Sequence, residues 1–107
     1  MSKLIFNPEK DMKELEKYGF EYDCDIEEYV ISINSLKTRG VFGRWVRIGY
    51  LFYDCTNNKF HDYMDNNYFG IEKEYQERLN QIYDDLKKAN LIIDEEEMNE
   101  TNGATNN

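Results

Sequence analysis

At 107 residues the chain is long enough for one domain with one ordinary core, without metal or disulfide staples. Its formal charge of -9, from 22 acidic against 13 basic residues, argues against wholesale binding to nucleic acid or an anionic membrane face and favours a basic partner. No apolar run approaches bilayer length and the start, MSKLIFNPEKDM, lacks the apolar stretch of a secretion signal, so the expected location is cytoplasmic.

Leu4, Ile5 and Phe6 form an apolar lead-in that stops at Asn7-Pro8, a pair suited to cap and start a helix. Met12 and Leu15 share a helical stripe that ends at Gly19, placed for the left-handed C′ conformation with Phe20 packing back on Leu15. Acids at Glu21, Asp23, Asp25 and Glu27 then alternate with Tyr22, Cys24 and Ile26, the pattern of a strand. From about Glu28 to Leu36 the period of two continues with Tyr29, Ile31 and Ile33 at odd positions. The parity therefore flips near 27–28, and either a bulge or a turn separates two strands there.

After a looser segment at 37–43, the run RWVRIGYLFYDC at 44–55 reads as the central strand. Strict alternation puts Val46, Ile48, Tyr50 and Phe52 on one side, and Trp45, Arg47, Gly49, Leu51 and Tyr53 on the other. Helices over the first side would leave Trp45, Leu51, Tyr53, Phe60 and Met64 as an apolar patch, and the simplest cover is a symmetric homodimer. Thr56-Asn57-Asn58-Lys59 suits a two-residue hairpin with positive φ at both asparagines, which would face Phe52 with Tyr63, Asp54 with His61 and Cys55 with Phe60. Ile71, Tyr75, Leu79, Ile82, Leu86 and Ala89 keep helical spacing, and Asn90 with Leu91 repeats the stop signal of Gly19 with Phe20. Residues 94–107 have nothing to bury and are expected to form an acidic disordered tail. The expected architecture over residues 1–93 is a single α+β domain: helix, three- or four-stranded antiparallel meander, helix, in two layers.

No reaction-bearing motif stands out. His61 is the only histidine, and its inferred neighbour Asp54 could orient an imidazole, but no nucleophile can be placed beside them. The chain is read as a non-enzyme with no metal and no cofactor, and Cys24 and Cys55 as buried free thiols. Lys37, Arg39, Arg44 and Arg47 come without an intervening acid, interleaved with Val41, Phe42 and Trp45. They make either a weak RNA site with Trp45 or Phe42 as a stacking platform, or a loop whose charges pair with the protein's own carboxylates. Four cations in a field of -9 favour the second. In a single strand, Glu21, Asp23, Asp25 and Glu27 would recur about every 6.6 Å on one side. Such a row either guards an edge strand or occupies a phosphate-binding groove as a DNA mimic, with Tyr22 or Tyr29 as anchors.

KYGFEYD after a short charged helix and LNQIYDDLKKANLI at the end of the last one resemble the helix ends of small phage and prophage proteins of AT-rich Gram-positive bacteria. The resemblance covers about a third of the chain and carries over no functional residue. It implies an accessory protein that acts by binding host or competing-element proteins. The expected function is thus an inhibitor or anti-defence factor that offers its acidic surface to a basic, nucleic-acid-handling protein. The other readings are a small dimeric interaction module and weak RNA binding through 37–47.

Overall fold

The structure, a computed structural model, describes residues 4–40, 42–65 and 70–95. In chain order its elements are β1 (Leu4–Phe6), a 3-10 helix (Met12–Tyr18), β2 (Glu21–Asp23), β3 (Glu28–Arg39), β4 (Trp45–Asp54), β5 (Lys59–Met64), α1 (Glu72–Lys88) and β6 (Ile92–Asp94). Strands β2 to β5 form an antiparallel sheet in sequence order, and β1 pairs with β6 in a second, two-stranded sheet.

This corrects the expected helix, meander, helix order. Among the described residues the fold is mostly sheet, six strands in two antiparallel sheets, with one α-helix following the larger sheet. The apolar segments outside the helices pair with each other, Ile5 opposite Ile93, instead of ending loosely. Residues 12–18 make only a 3-10 helix, because a single apolar pair on one stripe gives a short segment too little burial to settle into α geometry. Asp11 caps it by accepting the Lys13 N–H. Asn7, expected in that role, ties the chain start to the far end of α1: its side chain donates to Asn90 O and its N–H to Leu91 O, each at 2.8 Å. Of the expected tail, Asp94 closes β6, and residues 96–107 lie outside the described residues.

Both helix stops form as the sequence predicts. Gly19 and Asn90 take left-handed φ values of 97° and 60°. The N–H groups of Phe20 and Leu91 reach back to Leu15 O and Leu86 O at 3.3 and 3.0 Å, the six-to-one bond of a Schellman motif. All four side chains of these two pairs are buried. Helix α1 covers one face of the larger sheet, and its Tyr75, Leu79 and Leu86 share one core with Ile33, Ile48, Leu51 and Tyr53.

The central strand departs from strict alternation. Ile33 pairs with Gly49 but Asn34 pairs with Arg47, so Ile48 is an extra residue on β4. A bulge of this kind moves every side chain beyond it to the opposite face. Gly49, Leu51 and Tyr53 on one side of the bulge and Ile48 on the other are all buried under the helix layer. Tyr50 and Phe52, and beyond the bulge Arg47 and Trp45, turn away from it. Gly49 makes the close approach possible: a Cβ there would stand 2.2 Å from Tyr63 O and 2.6 Å from the Tyr75 ring. The expected dimer patch does not form, because α1 covers the side of β4 that carries Leu51 and Tyr53 and buries both within the chain itself.

One turn differs from expectation, and another settles an alternative left open. β4 and β5 pair Phe52 with His61, Tyr53 with Phe60 and Asp54 with Lys59, so the connection is the four residues 55–58 and not Asn57-Asn58 alone. The Asp54 carboxylate selects it by accepting the N–H groups of Thr56 and Asn57, and only Asn58 takes a positive φ. Asn58 Oδ1 in turn accepts from Phe6 N–H and the Tyr53 hydroxyl, which locks the turn to β1. Near 27–28 a turn, not a bulge, separates the strands: Asp23 Oδ1 accepts the Asp25 N–H, and Glu27 takes a φ of 56°.

Candidate functional site

Among the described elements, none packs on the outer face of the larger sheet. Ser32, His61 and Tyr63 are exposed there, and Val30, Tyr50 and Phe52 are only half-buried, by their own neighbours. The bulge and the register gather a continuous line of flat side chains on this face. The Arg39 guanidinium sits 4.3 Å from the Trp45 ring centre and that of Arg47 4.6 Å from Tyr50. Tyr50 lies 5.8 Å from Phe52, which stacks on His61 at 4.7 Å with the planes 6° apart. Contacts between guanidinium and ring favour ordered arginine even where both are wet.

The acidic residues predicted as a site divide between two places. Glu21 pairs with Val30 and Asp23 with Glu28, so both belong to the outer face along the β2 edge. Asp25 and Glu27 sit in the turn, so the straight row of four carboxylates does not form. Glu21 and Asp23 border a shallow depression of about 560 Å³ floored by Val30, Ser32, Tyr50 and Phe52. Tyr22 points to the other side of β2, where its ring meets Tyr29 edge-on at 5.2 Å. Tyr29 is buried in the core and cannot anchor a partner, whereas Tyr22 remains about half exposed.

His61 does not face Asp54. Its Nε2 meets Glu28 Oε1 at 2.5 Å, while the Asp54 carboxyl is committed to its turn and held below the ordinary range, chiefly by the Asn57 side chain. Cys24 is exposed in the β2–β3 turn, contrary to the expected burial, and Cys55 is partly buried, with its thiol pushed up by desolvation. No cluster of His, Cys, Asp and Glu able to hold a metal occurs among the described residues, and no described helix is long and apolar enough to cross a membrane.

The basic segment forms the far end of the β3–β4 hairpin. Lys37, Arg39, Arg44 and Arg47 are all exposed, as are Trp45 and, at 91%, Phe42; Val41 lies outside the described residues. Among the described residues Lys17 pairs with Glu14 and His61 with Glu28, and Lys37 lies near enough to the Glu74 carboxyl to favour its charged form. Arg39 instead donates to Gly43 O across the turn, at 3.3 Å.

Sequence reasoning missed Glu74, which secures the root of this hairpin. It is buried, and it accepts the Ser35 hydroxyl and the Leu36 N–H at 2.6 Å each. Burial pushes its carboxyl upward, but those two bonds and the nearby Lys37 outweigh that and hold it below its ordinary value. The available signal was its position between Ile71 and Tyr75, on the apolar side of α1. Tyr75, one residue on, donates its hydroxyl to Asp62 over the bulge; burial and that bond together raise its pKa. No family model, curated protein or solved structure matches the chain.

Proposed function

We propose that the protein is a non-enzymatic binding protein that docks a Lys- and Arg-bearing segment of another protein onto the acidic half of its uncovered sheet face. The observation that carries this reading is the depression between Glu21 and Asp23 on one side and Tyr50 and Phe52 on the other. Carboxylates at its rim would steer and orient a basic segment, and the half-buried rings of its floor would supply the short-range contact that net charge alone lacks. The strands beneath are fixed by the helix layer, so little ordering is required of this protein on binding. A phosphate-binding groove on a nucleic-acid-handling protein presents the required Lys and Arg side chains. Occupying it would make the chain an inhibitor, the role that the resemblance to phage and prophage accessory proteins suggests.

Calorimetric titration with a Lys- and Arg-rich peptide tests the reading at physiological ionic strength, where the Debye length is about 8 Å and loosely placed charge is screened. Glu21→Gln with Asp23→Asn should weaken binding at least tenfold, and Glu72→Gln with Glu77→Gln, on exposed α1 positions, should change it little. Equal losses from the two pairs would show attraction by net charge alone and overturn the proposal.

A further inference from the structure

Arg39, Arg44 and Arg47 of the β3–β4 hairpin are exposed, and the hairpin end carries no acid of its own. No acid occurs between Glu28 and Asp54 in the sequence. Along β3, Arg39 is about 30 Å from Val30, the partner of Glu21, at ~3.3 Å per strand residue, whereas Asn34, the partner of Arg47, is only about 13 Å from it. Those are about four and about 1.6 Debye lengths at physiological salt, so the charge on the β2 edge is screened from Arg39, Arg44 and Trp45 and only weakened at Arg47. Glu74, which contacts this strand from α1, is already engaged by Ser35 and Leu36. The net charge of the chain therefore does not describe the potential around Arg39, Arg44 and Trp45.

We propose that the outer side of this hairpin binds single-stranded nucleic acid, with bases on Trp45 and Tyr50 and phosphates on Arg39, Arg44 and Arg47. The geometry favours this ligand over two others. A guanidinium lying on a ring covers one face and leaves N–H groups on its edge for phosphate oxygens, as at Arg47 on Tyr50 and, beyond its Nη1 bond to Gly43 O, at Arg39 on Trp45. Rings with accessible faces spaced along a strand suit unpaired bases, whereas a duplex hides its base faces. A bilayer-inserting tip would group its apolar residues at the apex. Here Phe42 is in the turn, but Trp45 and Tyr50 run down the strand away from it. This surface adjoins the acidic depression and shares Tyr50 with it, and the proposal does not depend on the protein-binding reading.

The full chain contains one tryptophan, so Trp45 fluorescence reports the site directly. Titration with a short oligothymidylate should quench it with a dissociation constant in the micromolar range. Log affinity should fall with log salt by about 0.7 for each phosphate neutralised. Arg44→Ala, an exposed change that leaves the fold intact by circular dichroism, should weaken binding at least fivefold and reduce that slope by about 0.7. Glu21→Gln with Asp23→Asn should leave oligonucleotide binding unchanged or slightly tighter, which separates this test from that of the acidic half. Absence of quenching at high micromolar oligonucleotide, a slope that Arg44→Ala does not alter, or binding to phosphatidylserine vesicles without binding to the oligonucleotide would each overturn the proposal.

Discussion

At its Glu28 end, β3 lies between β2 and β4, with Tyr29 sunk in the core and carboxylates along its outer side. At its Arg39 end it has β4 alone for a neighbour, a shifted register and an outer side of cations and rings. The helix layer constrains only the inward residues, so the outward ones are free to differ, and one rigid strand keeps the two charge types apart without a linker. Glu74 is the contact that decides how rigid the second end is.

The largest expected effect comes from the support that both ends share. Leu86 is fully buried, and Leu86→Ala should cost about 2–5 kcal/mol, loosening both ends of β3 together. Chemical denaturation measures it, and a loss under about 1 kcal/mol would remove α1 from the account of the core. Gly49→Ala acts at the bulge between the two ends. The added methyl meets backbone and the Tyr75 ring, so a cost of about 1–3 kcal/mol or more is expected in the same assay.

Glu74→Ala should separate the two ends. It leaves the Ser35 hydroxyl and the Leu36 N–H without this acceptor, at a cost of about 1–3 kcal/mol. Hydrogen exchange should quicken at 36–44 and stay unchanged at 28–31. The same contact sets an acid limit. Because the folded carboxyl sits below its ordinary value of 4.5, its contribution is complete above that pH and is lost as the pH falls through the lower folded value. Denaturation midpoints for wild type and variant should therefore converge in acid. Tyr53 gives the opposite sign: burial raises its hydroxyl to about 12, so its share of stability holds below pH 10.0 and fades as the pH rises toward 12. The smallest effect is expected at the β2 edge, where Glu21→Gln with Asp23→Asn should change stability by less than about 0.5 kcal/mol while abolishing most peptide binding.

Local chemistry was the legible part of the fold. Gly19 with Phe20 and Asn90 with Leu91 mark their helix stops because the motif needs only a left-handed residue and an apolar pair close in sequence. The central strands were legible as strands, but the face each residue takes was not. One extra residue, Ile48, exchanges the two sides of β4, and it is placed by Tyr75 closing on Gly49 from a helix far along the chain. That single long-range contact is why Trp45, Arg47, Tyr50 and Phe52 could not be assembled from spacing into one surface. Leu51 and Tyr53 were misread as a dimer patch because spacing does not show which side of β4 the helix covers. The β4–β5 register moved for a local reason that periodicity does not weigh: Asp54 captures two N–H groups of the turn. Glu74 shows the same limit, since an acid on the apolar side of a helix signals a buried acceptor, but its partners on β3 come only with the fold.

The central claim is that one uncovered sheet face carries two electrostatically separate halves. Amide and aromatic NMR shifts, followed at physiological ionic strength while the chain is titrated separately with a Lys- and Arg-rich peptide and with oligothymidylate, test it most directly. The account predicts that the peptide moves resonances of Glu21, Asp23, Val30 and Phe52, that the oligonucleotide moves those of Arg39, Arg44, Trp45 and Arg47, and that neither moves exposed positions on α1. Shifts concentrated on α1, or the same set of residues responding to both probes, would contradict it.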